Sequence, residues 1–172
     1  MSNAIFILGG ARSGKSQRAL SSAETIGKRR VFIATAEAFD DEMAARIARH
    51  KSERGEGWTT LEEPLDVVAA LKKASDQGDV CVVDCLTLWL SNLMHHDRDL
   101  DAETEKLCKA VSASAQPIIL VSNEVGLGLV PETPLGRSFR DAQGRLNQAI
   151  AGACDRVEFI AAGLALILKS PS

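Results

Sequence analysis

The chain predicts an α/β fold: a mostly parallel sheet flanked by helices, with a phosphate-binding loop after its first strand and an antiparallel hairpin at its end. Three observations carry this. Gly9-Gly10-Ala11-Arg12-Ser13-Gly14-Lys15-Ser16 fills the G-x-x-x-x-G-K-[ST] pattern completely. Short apolar runs alternate with segments of helical period along the 172 residues. Those runs are nearly continuous in apolar residues, as in strands covered on both faces.

Ala4–Leu8 reads as the first strand and leads directly into the loop, with a helix expected over Lys15–Glu24. That strand–loop–helix setting gives the motif its meaning. Glycines let the backbone close around phosphate oxygens and aim its N–H groups inward, and the helix N-terminus adds partial positive charge. Lys15 is expected on the β- and γ-phosphates and the Ser16 hydroxyl on Mg²⁺. The chain is therefore read as binding a nucleoside triphosphate.

Further strands are expected at Val31–Thr35, Trp58–Glu62, Val80–Asp84, Ile118–Ser122 and Val157–Ala161. The run Leu164–Lys169 follows Gly163 too closely for a crossover helix, so the last two strands should form an antiparallel hairpin. Helices are expected at Asp41–Arg54, Leu65–Ala74, Leu86–Met94, Ala102–Ala113 and Leu135–Ala153, with Pro64 at N1 of the helix it precedes. Leu135, Phe139, Leu146 and Ile150 are the expected buried stripe of the last helix. Two loops stand out: Met94–Asp101, rich in His and Asp, and Gly126–Pro134, rich in Gly and Pro. The second lies at the C-terminal end of a strand, where α/β proteins place ligands. Neither a repeat nor a linker interrupts the chain, so residues 1–172 are read as one catalytic domain.

Composition narrows the function. Twenty Lys and Arg against 23 Asp and Glu give a formal charge of −3, unlike the basic face of a nucleic-acid binder. Aromatic residues are few and tyrosine is absent, which disfavours a base-stacking platform. No apolar run approaches the ~20 residues of a membrane span. The N-terminus runs straight into the first strand, so no signal peptide is expected. Cys81, Cys85, Cys108 and Cys154 show no metal-ligand spacing and read as reduced core residues of a cytoplasmic protein.

A P-loop needs a carboxylate to complete the magnesium shell. Asp84, at the tip of Val80-Cys81-Val82-Val83, has the required setting, and capping of the following helix is the competing role. The guanine-reading N-K-x-D signature is missing: the equivalent strand end reads Ser122-Asn123-Glu124-Val125-Gly126. A small-GTPase switch is thereby disfavoured, though guanine can be read by other means. In the segment Asp40–Arg54, Met43, Ile47, His50 and Arg54 recur at helical spacing, so His50 ends an apolar ridge beside Lys51. It reads either as a surface histidine or as a nucleophile for a phosphoryl group, neutral near pH 7 and flanked by cations. Arg137–Asp141 and Asp141–Arg145 are possible i,i+4 pairs, and spacing leaves Arg137, Arg140 and Arg145 open between structural, interfacial and phosphate-binding roles. His95-His96 is read as solvated, with no metal ligand assigned.

Taken together, several stretches resemble one family. They are the loop Gly9–Ser16, Ile33-Ala34-Thr35-Ala36, Asp41-Glu42-Met43 through Arg46-Ile47 to His50, and Trp58 to Glu62. Asp84-Cys85-Leu86-Thr87, Asn123-Glu124-Val125-Gly126-Leu127-Gly128 with Val130-Pro131-Glu132, and Phe139-Arg140-Asp141 to Gly144-Arg145-Leu146-Asn147-Gln148 complete the set. These resemble the bifunctional adenosylcobinamide kinase/adenosylcobinamide-phosphate guanylyltransferases of cobalamin biosynthesis, over essentially the whole chain. The resemblance implies a RecA-like P-loop fold and a homotrimer. It implies phosphorylation of adenosylcobinamide by ATP or GTP, then transfer of GMP from GTP to adenosylcobinamide phosphate through a guanylylated histidine, at the position of His50. It also implies a GTP site comprising the loop, Ala34, Thr35, Ala36, Lys51, Ser52, Glu53, Arg54, Glu62 and Asp84. Two rival readings are a P-loop small-molecule kinase without transferase activity and a nonenzymatic nucleotide-dependent switch. Glu124, beside the Gly-rich loop, is a candidate kinase base.

Overall fold

Continuous apolar strands need cover on both faces, and the chain supplies it by passing helices over the sheet between strands. The computed structural model describes residues 3–37 and 54–171. In chain order these hold β1 (Ala4–Gly9), α1 (Lys15–Ile26), β2 (Arg30–Ala34), β3 (Trp58–Glu62), α2 (Val67–Gln77) and β4 (Val80–Asp84). Then come α3 (Leu86–His95), α4 (Leu100–Ala113), β5 (Ile118–Asn123), α5 (Pro134–Ala153), β6 (Arg156–Ala161) and β7 (Leu164–Lys169). The seven strands among the described residues form one sheet in the order β3-β2-β4-β5-β1-β6-β7. All pairs are parallel except β6 with β7, the expected hairpin.

Alternation along each strand divides the core into two layers. Phe6, Ile33, Val83 and Leu120 face α2–α5, where Leu71, Trp89, Leu107, Leu146 and Ile150 meet them. Ile7, Phe32, Val82, Val121 and Ile160 face the other way, onto Ala19 and Ala23 of α1. Each large apolar side chain so buried contributes about 1.5–3 kcal/mol. Cys81, Cys85 and Cys154 are buried in these layers and all four cysteines are free. Burial pushes the Cys81 and Cys154 thiols up to about 12, so they stay protonated and act as small apolar groups.

Several local expectations shift. Pro64 does not occupy N1: α2 starts at Val67, after the Glu63 carboxylate has accepted the N–H groups of Leu65 and Asp66. Proline does take the first position in α5, where Thr133 caps and accepts the Gly136 N–H. Leu135 is 70% exposed instead of buried, because the first turn of α5 precedes the part of the helix that packs on the sheet. Ala142 and Gln143 are buried in the stripe with Leu146 and Ile150. Of the helix expected over Asp41–Arg54 only Arg54 is described, and it lies in a turn. His50, Lys51, Ser52 and Glu53 lie outside the described residues.

Helix α1, which carries the phosphate loop at its head, is locked to the sheet by a buried carboxylate. Glu158 on β6 accepts from Arg18 Nε and Nη2 at 2.7 and 2.9 Å and from Arg156 Nε at 2.7 Å. The Arg18 hydrogen bonds, with help from Arg156, hold the Glu158 carboxyl below its ordinary range against the opposing effect of burial. Its contribution is therefore complete above the unfolded carboxylate pKa of about 4.3 and disappears as pH falls through the lowered folded value. Arg18→Met should cost about 2–3 kcal/mol at neutral pH, below the usual range for a broken buried pair because Arg18 is partly exposed and Arg156 remains. In urea unfolding the gap from wild type should narrow as pH falls below the ordinary carboxylate range; a pH-independent gap would assign the loss to packing of the Arg18 stem.

Candidate active site

The phosphate loop leaves β1 at Gly9 and enters α1 at Lys15, and its backbone is wedged against the β6–β7 turn. A Cβ on Gly9 would stand 2.3 Å from the Ile160 carbonyl oxygen. Gly14 caps α1 at φ 103°, a left-handed conformation open to glycine, and a Cβ there would sit 3.3 Å from Gly163 Cα. Gly163 N–H in turn donates to Ser13 O at 2.8 Å. Ser13 Oγ is buried with no hydrogen-bond partner. Arg12 is exposed, with φ 54°, beside exposed Ala11, and Ser16 is exposed in the first turn of α1.

Lys15 is buried, and its Nζ donates to Gly10 O at 2.6 Å, folded back across the loop. Burial lowers its pKa, while the charges of Asp84 and Cys85 oppose the shift. Lysine and aspartate are thus electrostatic neighbours, the arrangement that phosphate and magnesium chemistry requires.

The register sets Ala34, Glu62 and Asp84 at one level, because Ala34 pairs with Glu62 across β2–β3 and with Asp84 across β2–β4. Thr35 is fully buried and ties these tips together. Its Oγ1 donates to Cys85 O at 2.7 Å and accepts from Cys85 N–H at 2.9 Å, while Asn92 Nδ2 donates to Thr35 O at 2.8 Å. Half-buried Ala36 follows it out of the sheet. Burial pushes the adjacent Cys85 thiol up to about 11, which makes it a poor nucleophile.

Arg54 approaches the same end of the sheet. Its guanidinium lies 3.9 Å from the Phe32 ring centroid, and Nη2 donates to Thr60 Oγ1 at 3.0 Å. Burial lowers its pKa and the Asp84 charge opposes this. Its Nε has no partner. A buried guanidinium with an unpartnered Nε, within electrostatic reach of Asp84, is suited to an anion.

At the tip of β5, Glu124 N–H donates to Gly9 O, and the Glu124 carboxylate accepts from Gly126 and Leu127 N–H at 2.8 and 2.9 Å. Glu124 thus closes its own turn and holds the Gly-rich loop. Arg137 donates to the Pro131 and Glu132 carbonyls, fastening the far end of that loop to α5. Asp141 pairs with adjacent Arg140 instead of the residues four away. Arg145 lines an apolar groove of about 390 Å³ with Leu90, Leu100 and Cys108, on the helical face away from the phosphate loop. His96 Nε2 lies 3.6 Å from Glu37 Oε1 and its ring meets His95 edge-on. Among the described residues no group of three or more His, Cys, Asp or Glu is placed to hold a metal ion.

A parallel sheet with the loop Gly9–Ser16 at the end of a central strand, Lys15 beneath it and Asp84 beside it defines a P-loop nucleotide-binding enzyme of RecA-like architecture. The fold is shared with the flagellar accessory protein FlaH of Methanocaldococcus jannaschii, at TM-score 0.57 and 13% identity over 99% of this chain and 79% of that one. It is also shared with a solved protein from Pyrococcus horikoshii OT3, at TM-score 0.55 and 11% identity over 99% of this chain and 88% of that one. A family model described as cobinamide kinase / cobinamide phosphate guanyltransferase matches residues 5–168, and the chain belongs to that family. It is 50% identical over 165 residues, 95% of both chains, to a Pseudomonas aeruginosa protein named bifunctional adenosylcobalamin biosynthesis protein CobP. It is 36% identical to the Escherichia coli K12 protein named bifunctional adenosylcobalamin biosynthesis protein CobU, over 96% of this chain and 99% of that one.

Sequence reasoning missed the side-chain ties at the strand tips. Their signal was present as polar residues on apolar faces: Thr35 and Ser122 at strand ends, and Gln143 and Asn147 four apart beside Leu146 and Ile150. Thr35→Val keeps the shape but leaves the Cys85 N–H without its partner, so about 1–3 kcal/mol of stability should be lost in denaturant unfolding. A loss of only a few tenths would mean that Thr35 does not tie the tips of β2 and β4.

Proposed function

We propose that this enzyme carries out both transfers through the constellation at the C-terminal end of its sheet. The observation that carries the reading is the complete loop with Lys15 buried beside Asp84, in a chain that matches its family over residues 5–168. In the first transfer the aminopropanol hydroxyl of adenosylcobinamide attacks the γ-phosphorus of ATP or GTP. The nucleoside diphosphate leaves and the hydroxyl proton passes to a base. Loop N–H groups and Lys15 hold the phosphates as charge moves onto the leaving oxygen. The Ser16 hydroxyl and Asp84 carboxylate are hard oxygen donors that fit Mg²⁺, which when bound would neutralise phosphate charge there.

In the second transfer a neutral ring nitrogen of His50 attacks the α-phosphorus of GTP. A P–N bond forms, the α–β bridging P–O bond breaks and pyrophosphate leaves. An oxygen of adenosylcobinamide phosphate then attacks the same phosphorus, breaks the P–N bond and yields adenosylcobinamide-GDP. Division into two displacements is the gain of nucleophilic catalysis. Arg54, buried with an unpartnered Nε, is a suitable partner for the GTP phosphates, alongside Lys51, Ser52, Glu53, Glu62 and the Ala34–Ala36 segment. Residues 1–172 would serve as one catalytic domain, in the cytoplasm. Four free cysteines agree with that compartment, and no described helix is long and apolar enough to cross a membrane.

Incubation with [α-³²P]GTP and Mg²⁺ should label the protein with a bond stable in base and labile in mild acid, while [γ-³²P]GTP should leave no nucleotidyl label. His50→Ala should abolish labelling and guanylyl transfer yet keep kinase turnover. Lys15→Ala should weaken triphosphate binding, and Asp84→Asn should impair magnesium-dependent turnover, both without unfolding. Uptake of the α-label by His50→Ala would move the nucleophile elsewhere.

A homotrimer is part of the same proposal. Edge strand β7 exposes Leu164, Leu166, Ile167 and Leu168, and the loop after β5 exposes Leu127, Leu129 and Val130, apolar surface that association would cover. Light scattering should give about three times the 18.4 kDa chain mass. A fully active monomer would contradict it.

A further inference from the structure

We propose that Asn123 is a further catalytic residue: its carboxamide hydrogen-bonds the phosphoryl group in transfer, and Thr87 and Asn147 are positioning residues that hold it there. The inference rests on the nucleotide-site reading above and adds a group to it.

Strand alternation places the side chain. Ser122 points to the α3–α5 face, where its Oγ meets Thr87, Gln143 and Asn147. Its neighbour Asn123 therefore points to the opposite face, that of α1. Gly9 and Asp84 lie on the same face, since Ile7 and Val82 two residues earlier belong to the α1 layer. Asn123 is in register with Gly9, and it stands two residues beyond Val121, the partner of Asp84. The carboxamide thus stands between the mouth of the phosphate loop and the carboxylate next to Lys15. It is half-buried and takes part in none of the hydrogen bonds found among the described residues. An uncharged amide there can donate to a phosphoryl oxygen without repelling the phosphate, as a carboxylate would.

The backbone beneath it is held with unusual care. Where β4 has ended, Asn123 N–H donates to Thr87 Oγ1 at 2.8 Å and Asn123 O accepts from Asn147 Nδ2 at 3.1 Å. Two helices thereby replace the missing strand. Asn147 Oδ1 accepts from Ser122 Oγ at 2.8 Å and from Gln143 Nε2 at 2.9 Å, and Gln143 Nε2 also donates to Ser122 Oγ at 3.0 Å. The cluster sits against the main apolar layer, and the buried Gln143 Oε1 has no partner. A partly satisfied buried network is a poor source of stability, so its value lies in orienting the strand tip.

Turnover with adenosylcobinamide and Mg·GTP, equilibrium GTP binding without acceptor, and thermal melting test this. Asn123→Ala should lower kcat of phosphoryl transfer at least tenfold, the scale of one lost transition-state donor, with GTP affinity within twofold and an unchanged melt. Asn123→Asp should be at least as slow. Thr87→Val should lose several-fold in kcat and Thr87→Ser should recover it. Gln143→Met should melt no lower than wild type yet turn over more slowly, an outcome a merely structural residue would not produce. Wild-type kcat in Asn123→Ala, or a loss wholly matched by weaker GTP binding, overturns the catalytic assignment. Unchanged kcat in both Thr87→Val and Gln143→Met overturns the positioning role. Lys15→Ala run alongside separates the two readings: normal GTP binding in that variant would fault the nucleotide site itself.

Discussion

Parallel strands stop abruptly, and the backbone groups at their C-terminal ends lose the neighbour that satisfied them. At several strand tips on this end of the sheet that problem is solved by something other than a strand. At β2 and β4 the Thr35 hydroxyl both donates to and accepts from the Cys85 backbone. At β5, Thr87 and Asn147 take the two free groups of Asn123. At β1 the loop itself is the solution, with Gly163 N–H closing on Ser13 O. Because the ties come from α3, α5 and the β6–β7 turn, the strand tips cannot shift independently, and the groups they carry are held in register with one another.

Electrostatics then acts on a frame already rigid. Lys15 and Arg54 are both buried, both have their pKa lowered by that burial, and both are opposed by the charge of Asp84. Two desolvated cations thus act with one carboxylate at this end of the sheet, in a chain whose formal charge is −3 overall. A bound triphosphate would favour the charged form of both.

Among the described residues the cover of the sheet is uneven. Four described helices pack one face, while on the other α1 meets β1, β4 and β5 and carries the phosphate loop at its head. Glu158, gripped by Arg18, fastens α1 to β6. Beyond β6 the sheet ends in β7, whose Leu-Ala-Leu-Ile-Leu-Lys run is exposed along its length. Lys169 anchors it to the helical layer, donating to the Ala151, Gly152 and Cys154 carbonyls at the end of α5. An apolar edge so placed, continuous with the hairpin that buttresses the loop, links the surface available for association to the site.

What the amino-acid order determined alone was whatever depends on neighbours in sequence. The strand–loop–helix of Gly9–Ser16, the apolar runs, the short Gly163 turn that forced an antiparallel hairpin, and the acid at the tip of β4 were legible because each is local in period or pattern. The family was legible because its motifs spread over the whole chain. Tertiary structure decided the rest. Pro64 lost N1 because Glu63 holds the Leu65 and Asp66 N–H groups ahead of the helix, Leu135 was left outside the core, and Arg54 came to rest over Phe32 through folding of distant segments. Asn123, Ser122, Thr87, Gln143 and Asn147 are scattered over three elements, and only the crossing of α3 and α5 over β5 brings them within hydrogen-bond reach. Sequence spacing sets which residues share a strand or a helix face; which faces meet is set by the packing of the sheet against its helices.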